Sequence, residues 1–173
     1  MEITRATEYA VRCVLHLALA PRDRVVPRRE IAAVRAIPEQ FLGKIAQRLA
    51  RAGIIRIHQG ARGGYELVAS PDRVTLLDVV EAGEGPLSLN KCVMHPRACS
   101  RSGFCAVHRI WAEARRQLRD TLARTTFADL AAEESKAARP GCRPPRTRTS
   151  SPARARRRGD AERGNVITNP RRR

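Results

Sequence analysis

The chain has 173 residues, enough for one domain and a tail but short of two full domains. Apolar residues make up 42% and aromatic ones only 3%, so the core has to come from Ala, Leu, Ile and Val packed between helices, and no apolar run approaches the ~18 residues of a membrane span. Of the formal net charge of +17, residues 136–173 carry +11 through 13 basic and 2 acidic residues, which leaves a body of +6 that suits a polyanion partner.

From about Thr4 to Ala20, the residues Tyr9, Ala10, Cys13, Val14, Leu17 and Ala18 recur at three- and four-residue steps, which predicts an amphipathic helix ended by Pro21. Glu8 and Arg12 interrupt the stretch at helical spacing, unlike the uniform core of a signal peptide, and a cytoplasmic location is expected. Cys13 lies on the apolar face and reads as a small buried side chain.

A short helix is predicted around Arg28 to Val34, then a turn, then a second helix from Pro38 with Gly53 as its C-cap. Phe41, Leu42, Ile45, Ala46 and Leu49 make its apolar stripe. The opposite stripe, Gln40, Gly43, Lys44, Gln47, Arg48 and Arg51, carries amides and cations and no acid, a face able to read base edges and grip phosphate. Beyond Gly53, IIRIHQ and YELV alternate apolar and polar residues on either side of GARGG, which predicts a glycine-tipped hairpin.

Helix, turn, helix and hairpin define the expected fold class, mainly α with a small β-hairpin wing: a winged helix-turn-helix domain plus a long dimerisation helix. Arg28, Gln40, Lys44, Gln47, Arg48, Arg51, His58, Gln59 and Arg62 form the expected DNA-binding set, with the second helix in the major groove and Arg62 at the wing tip on the backbone or minor groove.

TLLDVVEAGEG predicts a short helix, with Thr75 as N-cap, Asp78 completing a capping box, and Gly83 and Gly85 closing it. After a polar loop from about Pro86 to Gly103, a long helix carries Val107, Ile110, Trp111, Ala114, Leu118 and Leu122 on one side. Nothing else in the chain is large enough to cover that stripe, so a second copy is expected to, giving a twofold homodimer that presents two recognition helices. Thr126 and Asp129 suggest a cap for a last short helix ending near Glu134. From Lys136 onward Pro, Arg, Ser and Thr dominate and a disordered basic tail is expected, with no role for Cys142. The expected organisation is a winged domain over 1–85, a cysteine-bearing loop over 86–104, a dimerisation helix and short terminal helix over 105–135, and the tail over 136–173.

The loop CVMHPRACSRSGFCAVHRIW gathers Cys92, Cys99 and Cys105 and follows them with His108. Six residues separate the first pair of cysteines and five the second, wider than the CxxC knuckle of zinc fingers. Three cysteines leave one over in any disulfide scheme, and clustered thiols in a reducing compartment are more often metal ligands or redox groups. Wide loops with Ser, Gly and basic residues such as Arg97 and Arg101 suit an iron-sulfur cluster, whose sulfides accept hydrogen bonds. No phosphate-binding glycine loop and no nucleophile with an adjacent base is present, so an enzyme is not expected.

Over residues 1–134 the chain resembles the IscR/NsrR-type winged-helix transcriptional regulators, bacterial cluster-sensing repressors and activators. The resemblance rests on ITRATEYAVRCVLHLA, IPEQFLGKIAQRLARAGII, GARGGYEL, VTLLDVVEAGEGPL and the three cysteines followed by CAVHRIW. It implies a homodimer on a palindromic operator, with a [2Fe-2S] or [4Fe-4S] cluster in the loop reporting iron-sulfur status, nitric oxide or redox stress. As the fourth ligand it offers His108, as in IscR-like members, or Glu8 of the partner subunit, as in NsrR-like ones; His95 is a third candidate. Many relatives carry an arginine where Gln59 precedes the first wing glycine, and Gly43 offers no side chain where some relatives discriminate between forms. Two other readings of the same residues are a regulator that senses redox state through thiols without metal, and an accessory protein for cluster assembly that does not bind DNA.

Overall fold

Thr4 opens the first helix by accepting the N–H of Thr7, and Pro21, with no N–H to continue the ladder, follows its extended C-cap Ala20. The computed structural model describes residues 3–95, 97 and 99–138, and the tail calls beyond 138, Cys142 included, lie outside them. Helix α1 (Arg5–Leu19) buries Thr7, Ala10, Cys13, Val14 and Leu17, the face its three- and four-residue spacing requires. It lies against the helices Glu39–Arg51, Leu76–Glu84 and Phe127–Ala137 and so forms the centre of the core.

Helices α2 (Arg28–Arg35) and α3 (Glu39–Arg51) are joined by a tight turn in which Ala36 takes the left-handed conformation with φ 51°. Pro38 is the N-cap of α3 rather than a residue of its first turn, and Gly53, at φ 72°, follows the C-cap Ala52. Glu39 in the first turn and Arg48 and Arg51 in the last complement the helix dipole. Leu42, Ile45, Ala46 and Leu49 face the core, whereas Phe41 at the edge of the stripe is 44% exposed.

The wing is an antiparallel pair, β1 (Ile55–His58) and β2 (Gly64–Leu67), with Ile55 opposite Leu67 and Ile57 opposite Tyr65. Val26 extends it by one bridge, exchanging backbone bonds of 2.8 and 2.9 Å with Tyr65. Gly64 is required by this contact, because a Cβ there would stand 2.2 Å from the Val26 carbonyl oxygen.

After a 3₁₀ turn (Pro71–Arg73) come α4 (Leu76–Glu84), the single turn α5 (Lys91–Met94), α6 (Ala106–Arg124) and α7 (Phe127–Ala137). The expected capping box of Thr75 with Asp78 forms on α4, and the cap expected at Thr126 is a capping box as well, closed by Asp129 on α7. The two N-caps are bridged to each other, Leu76 N–H donating to Thr125 O at 2.8 Å and Phe127 N–H to Val74 O at 2.9 Å. This clasp drops Phe127, fully buried, into the core beside α1, a burial that contributes about 1.5–3 kcal/mol. Gly83 lies inside α4 rather than ending it, and Gly85 at φ 79° is the C-cap.

The apolar stripe of α6 divides. Leu118 and Leu122 pack on Leu77, Val80 and Leu87 of the same chain, whereas Val107, Ile110 and Trp111 remain 59%, 69% and 43% exposed. The expectation that nothing in the chain covers this stripe therefore applies to its first half only.

Candidate functional site

Along α3, Gln40, Lys44, Gln47, Arg48 and Arg51 are all exposed, and Gly43 between them is open, with nothing nearer to an added Cβ than Arg28 Nη1 at 4.0 Å. Lys44, Arg51 and Arg62 have no ion-pair partner among the described residues, whereas Arg28 pairs with Glu39 at 3.1 Å and Arg48 Nη1 donates to the Gly83 carbonyl at 3.1 Å. At the wing, Gln59 and Arg62 are exposed, but His58 lies 2.6 Å from Glu66, which also stands 3.8 Å from Arg56. His58 is thus engaged across the hairpin. Between the start of α2 and the wing runs a cleft of about 480 Å³ lined by Arg28, Arg29, His58, Gly60 and Gly63. Arg29 was not singled out from sequence; its place beside Arg28 at a helix start was the available signal.

The three loop cysteines fall on different elements: Cys92 in α5, Cys99 in the following turn, Cys105 as N-cap of α6. All are half-buried with free thiols. Cys92 Sγ donates to Asn90 Oδ1 at 3.4 Å, and the hydroxyl of Ser102 donates to Cys99 O at 2.9 Å. Local turns carry the rest of the loop, with Cys105 N–H donating to Arg101 O at 2.9 Å. His108, one turn into α6, holds its Nδ1 buried with no hydrogen-bond partner among the described residues. Glu8 on α1 and His95 are exposed. No three His, Cys, Asp or Glu side chains among the described residues stand close enough to hold one metal ion. The donor types, three thiols and an imidazole nitrogen lacking a partner, match what an iron-sulfur cluster takes. Cys13 stands apart from them, fully buried on α1, and burial pushes its thiol up to about 12.

Two polar networks tie this loop and the start of α1 to α4. Leu87, buried at the start of the loop, has its N–H bound by Glu81 Oε1 at 3.0 Å and its carbonyl by Arg115 Nε at 2.6 Å, while Glu81 also pairs with Arg119. At the end of α4, Glu84 Oε1 accepts from the Thr7 hydroxyl at 2.6 Å, the Thr4 hydroxyl at 2.7 Å and the Thr4 N–H at 2.9 Å. These bonds, the Thr7 hydroxyl foremost, hold its carboxyl below the usual range. Sequence reasoning missed both networks, whose partners lie far apart along the chain.

Residues 3–133 match the Rrf2 family, described as an iron-dependent transcriptional regulator. The chain is 30% identical over 142 residues to the protein rrf2 of Nitratidesulfovibrio vulgaris, covering 82% of this chain and 95% of that one. It is 32% identical over 131 residues to the transcriptional regulator NsrR of Geobacillus kaustophilus, covering 75% and 89%. CymR, the global cysteine regulator of B. subtilis, superimposes with a TM-score of 0.62 at 26% identity over 77% of this chain and 98% of that one. IscR of T. potens shares the fold with a TM-score of 0.64 at 22% identity, over 80% and 91%. With a family model spanning most of the described residues, and a curated relative that shares 32% identity and is named as a transcriptional regulator, the chain belongs to the Rrf2 family of winged-helix transcriptional regulators.

Proposed function

We propose that this regulator works as a homodimer on a palindromic operator and senses its signal through an iron-sulfur cluster, [2Fe-2S] or [4Fe-4S], at the cysteine loop. Cys92, Cys99 and Cys105 are the proposed ligands, completed by His108 or by Glu8 of the partner subunit. The observation that carries this reading is the buried His108 Nδ1 with no partner among the described residues, three positions after Cys105 at the start of α6. A buried polar atom left unpaired costs roughly 1–3 kcal/mol, so a ligating role accounts for its placement. When bound, such a group supplies an iron centre that reacts with oxidants and nitric oxide.

On the chain's side, the loop leads directly from Leu87, whose backbone is held by Glu81 and Arg115, and ends at the N-cap of α6. A change in loop order therefore acts on α4 and α6 together, and through Gly83 on Arg48 of the recognition helix. Gln40, Lys44, Gln47, Arg48 and Arg51 are the proposed major-groove face, with Gln59, Arg62 and Arg28 on the backbone and His58 shaping the wing.

The test is anaerobic purification with iron and sulfide analysis and an absorbance spectrum, for the parent chain and for Cys99→Ala and His108→Ala. Coloured parent protein and bleached Cys99→Ala are expected. A colourless, iron-free parent that cannot be reconstituted favours the second reading, thiol-based sensing without metal, which is supported by the free thiols and by the likeness to CymR, a cysteine regulator.

A further inference from the structure

Beneath the recognition helix, the first turns of α1, the middle of α3 and the end of α4 leave a cavity of about 170 Å³ that opens on one side to solvent. Its walls are Ala6, Ala10, Phe41, Ile45, Leu49 and Ala82, and Gly83 forms part of its rim. A wholly apolar void of about 150 Å³ accepts a benzene-sized guest, so this one has room for a single ring or a branched chain of similar bulk. The small residues that create it are fixed by other contacts. Ala10 lies on the buried face of α1, and Gly83 cannot gain a side chain because a Cβ would stand 2.2 Å from Thr7 Oγ1.

The two charged residues that line the cavity are both cations. Lys44 and Arg48 both border it, and Lys44 has no ion-pair partner among the described residues. Arg48 commits one N–H to the Gly83 carbonyl at 3.1 Å, which fixes the guanidinium across the rim and leaves its other donors available. An apolar void with convergent cations at its mouth is the pattern of a site for a compact amphipathic anion.

We infer that this cavity binds a small apolar carboxylate of aromatic or branched-chain type, ring or chain inward and carboxylate on Lys44 and Arg48. Both cations belong to the proposed DNA face, so the guest and the operator compete for them. That competition rests on the DNA-binding reading above; occupancy of the cavity does not.

Benzoate is the probe, added to the full chain with isotope-labelled alanine and isoleucine methyls and followed by NMR. Saturable shifts at Ala6, Ala10, Ala82 and Ile45 are expected, with a dissociation constant of about 1 mM, ordinary for a fragment-sized guest. Neutral benzamide, of the same shape, should bind about tenfold more weakly because it cannot form the charged hydrogen bonds. The variant Ala6→Leu, which fills the void, should lose the response. Absence of saturable shifts in the parent overturns the site, as does equal binding of benzamide. In a second arm, benzoate should displace a DNA fragment beyond a sodium chloride control of equal ionic strength; a saturated cavity with DNA still bound overturns the competition. A chain that binds no DNA at all refutes the operator reading, and the methyl titration still decides the site.

Discussion

Cys13 and the three loop cysteines belong to one chain but not to one chemistry. Its thiol, pushed up to about 12 and shielded from solvent, has almost no thiolate at neutral pH, whereas Cys92, Cys99 and Cys105 are partly accessible. In native, metal-free protein, iodoacetamide followed by mass spectrometry should therefore label the three loop thiols and reach Cys13 only after denaturation. Glu84 gives a second test at this scale. Its folded carboxyl titrates below the ordinary value of 4.5, so its contribution to stability is complete above that pH and is lost as pH falls through the depressed folded value. Thermal melts from pH 6 to pH 3 should show the parent losing its advantage over Glu84→Gln as acid is added. A constant gap between the two would mean that the threonine cradle contributes nothing to the pH dependence.

The clasp between Thr75 and Thr126 makes α4 and α7 start as a pair, each with its own capping box. Thr75→Ala and Thr126→Ala should each cost about 1 kcal/mol in urea denaturation. Because the two sites share backbone bonds, the double variant should depart from the sum of the singles. Arg115→Met, which keeps the apolar stem but removes the donor to Leu87, should cost about 1.5–3 kcal/mol, the range for a hydrogen bond to a charged group. Much at this scale was legible in the sequence. Thr75 with Asp78 and Thr126 with Asp129 announce caps because the chemistry is local, and the three- and four-residue spacing of Leu42, Ile45 and Leu49 announces a buried face. What could not be read was any choice between distant partners. Periodicity marks Leu118 and Ile110 as one stripe but is silent on α4 covering the first and leaving the second open. The same limit hid the Glu81, Leu87 and Arg115 contact, which joins residues up to 34 positions apart by sequence number. The turn α5 is invisible within the polar loop because its four residues, Lys91–Met94, are too few to show a helical period. At the candidate site, the residue types were plain and the geometry was not: nothing in the spacing of Cys92, Cys99 and Cys105 reveals that they sit apart on three elements.

At the scale of the whole molecule, Phe104, Val107, Ile110 and Trp111 form an exposed apolar patch at the cysteine end of α6. The homodimer reading assigns this patch to a second copy, and Ile110→Asp should then sediment as a folded monomer where the parent is a dimer. Losing one of two linked half-site contacts should weaken operator binding at least 100-fold. An Ile110→Asp chain that remains dimeric would move the interface elsewhere. The unequal footing of α6 has a mechanical consequence. Its last turns are riveted to α4 and stitched through Thr125 to the clasp, while the end bearing Cys105 lies outside that apolar cluster and, among the described residues, meets chiefly the single turn α5. Such a helix, about 28 Å long, behaves as a lever: a sideways step of about 1 Å at the loose tip becomes a swing of only about 2° at the pivot.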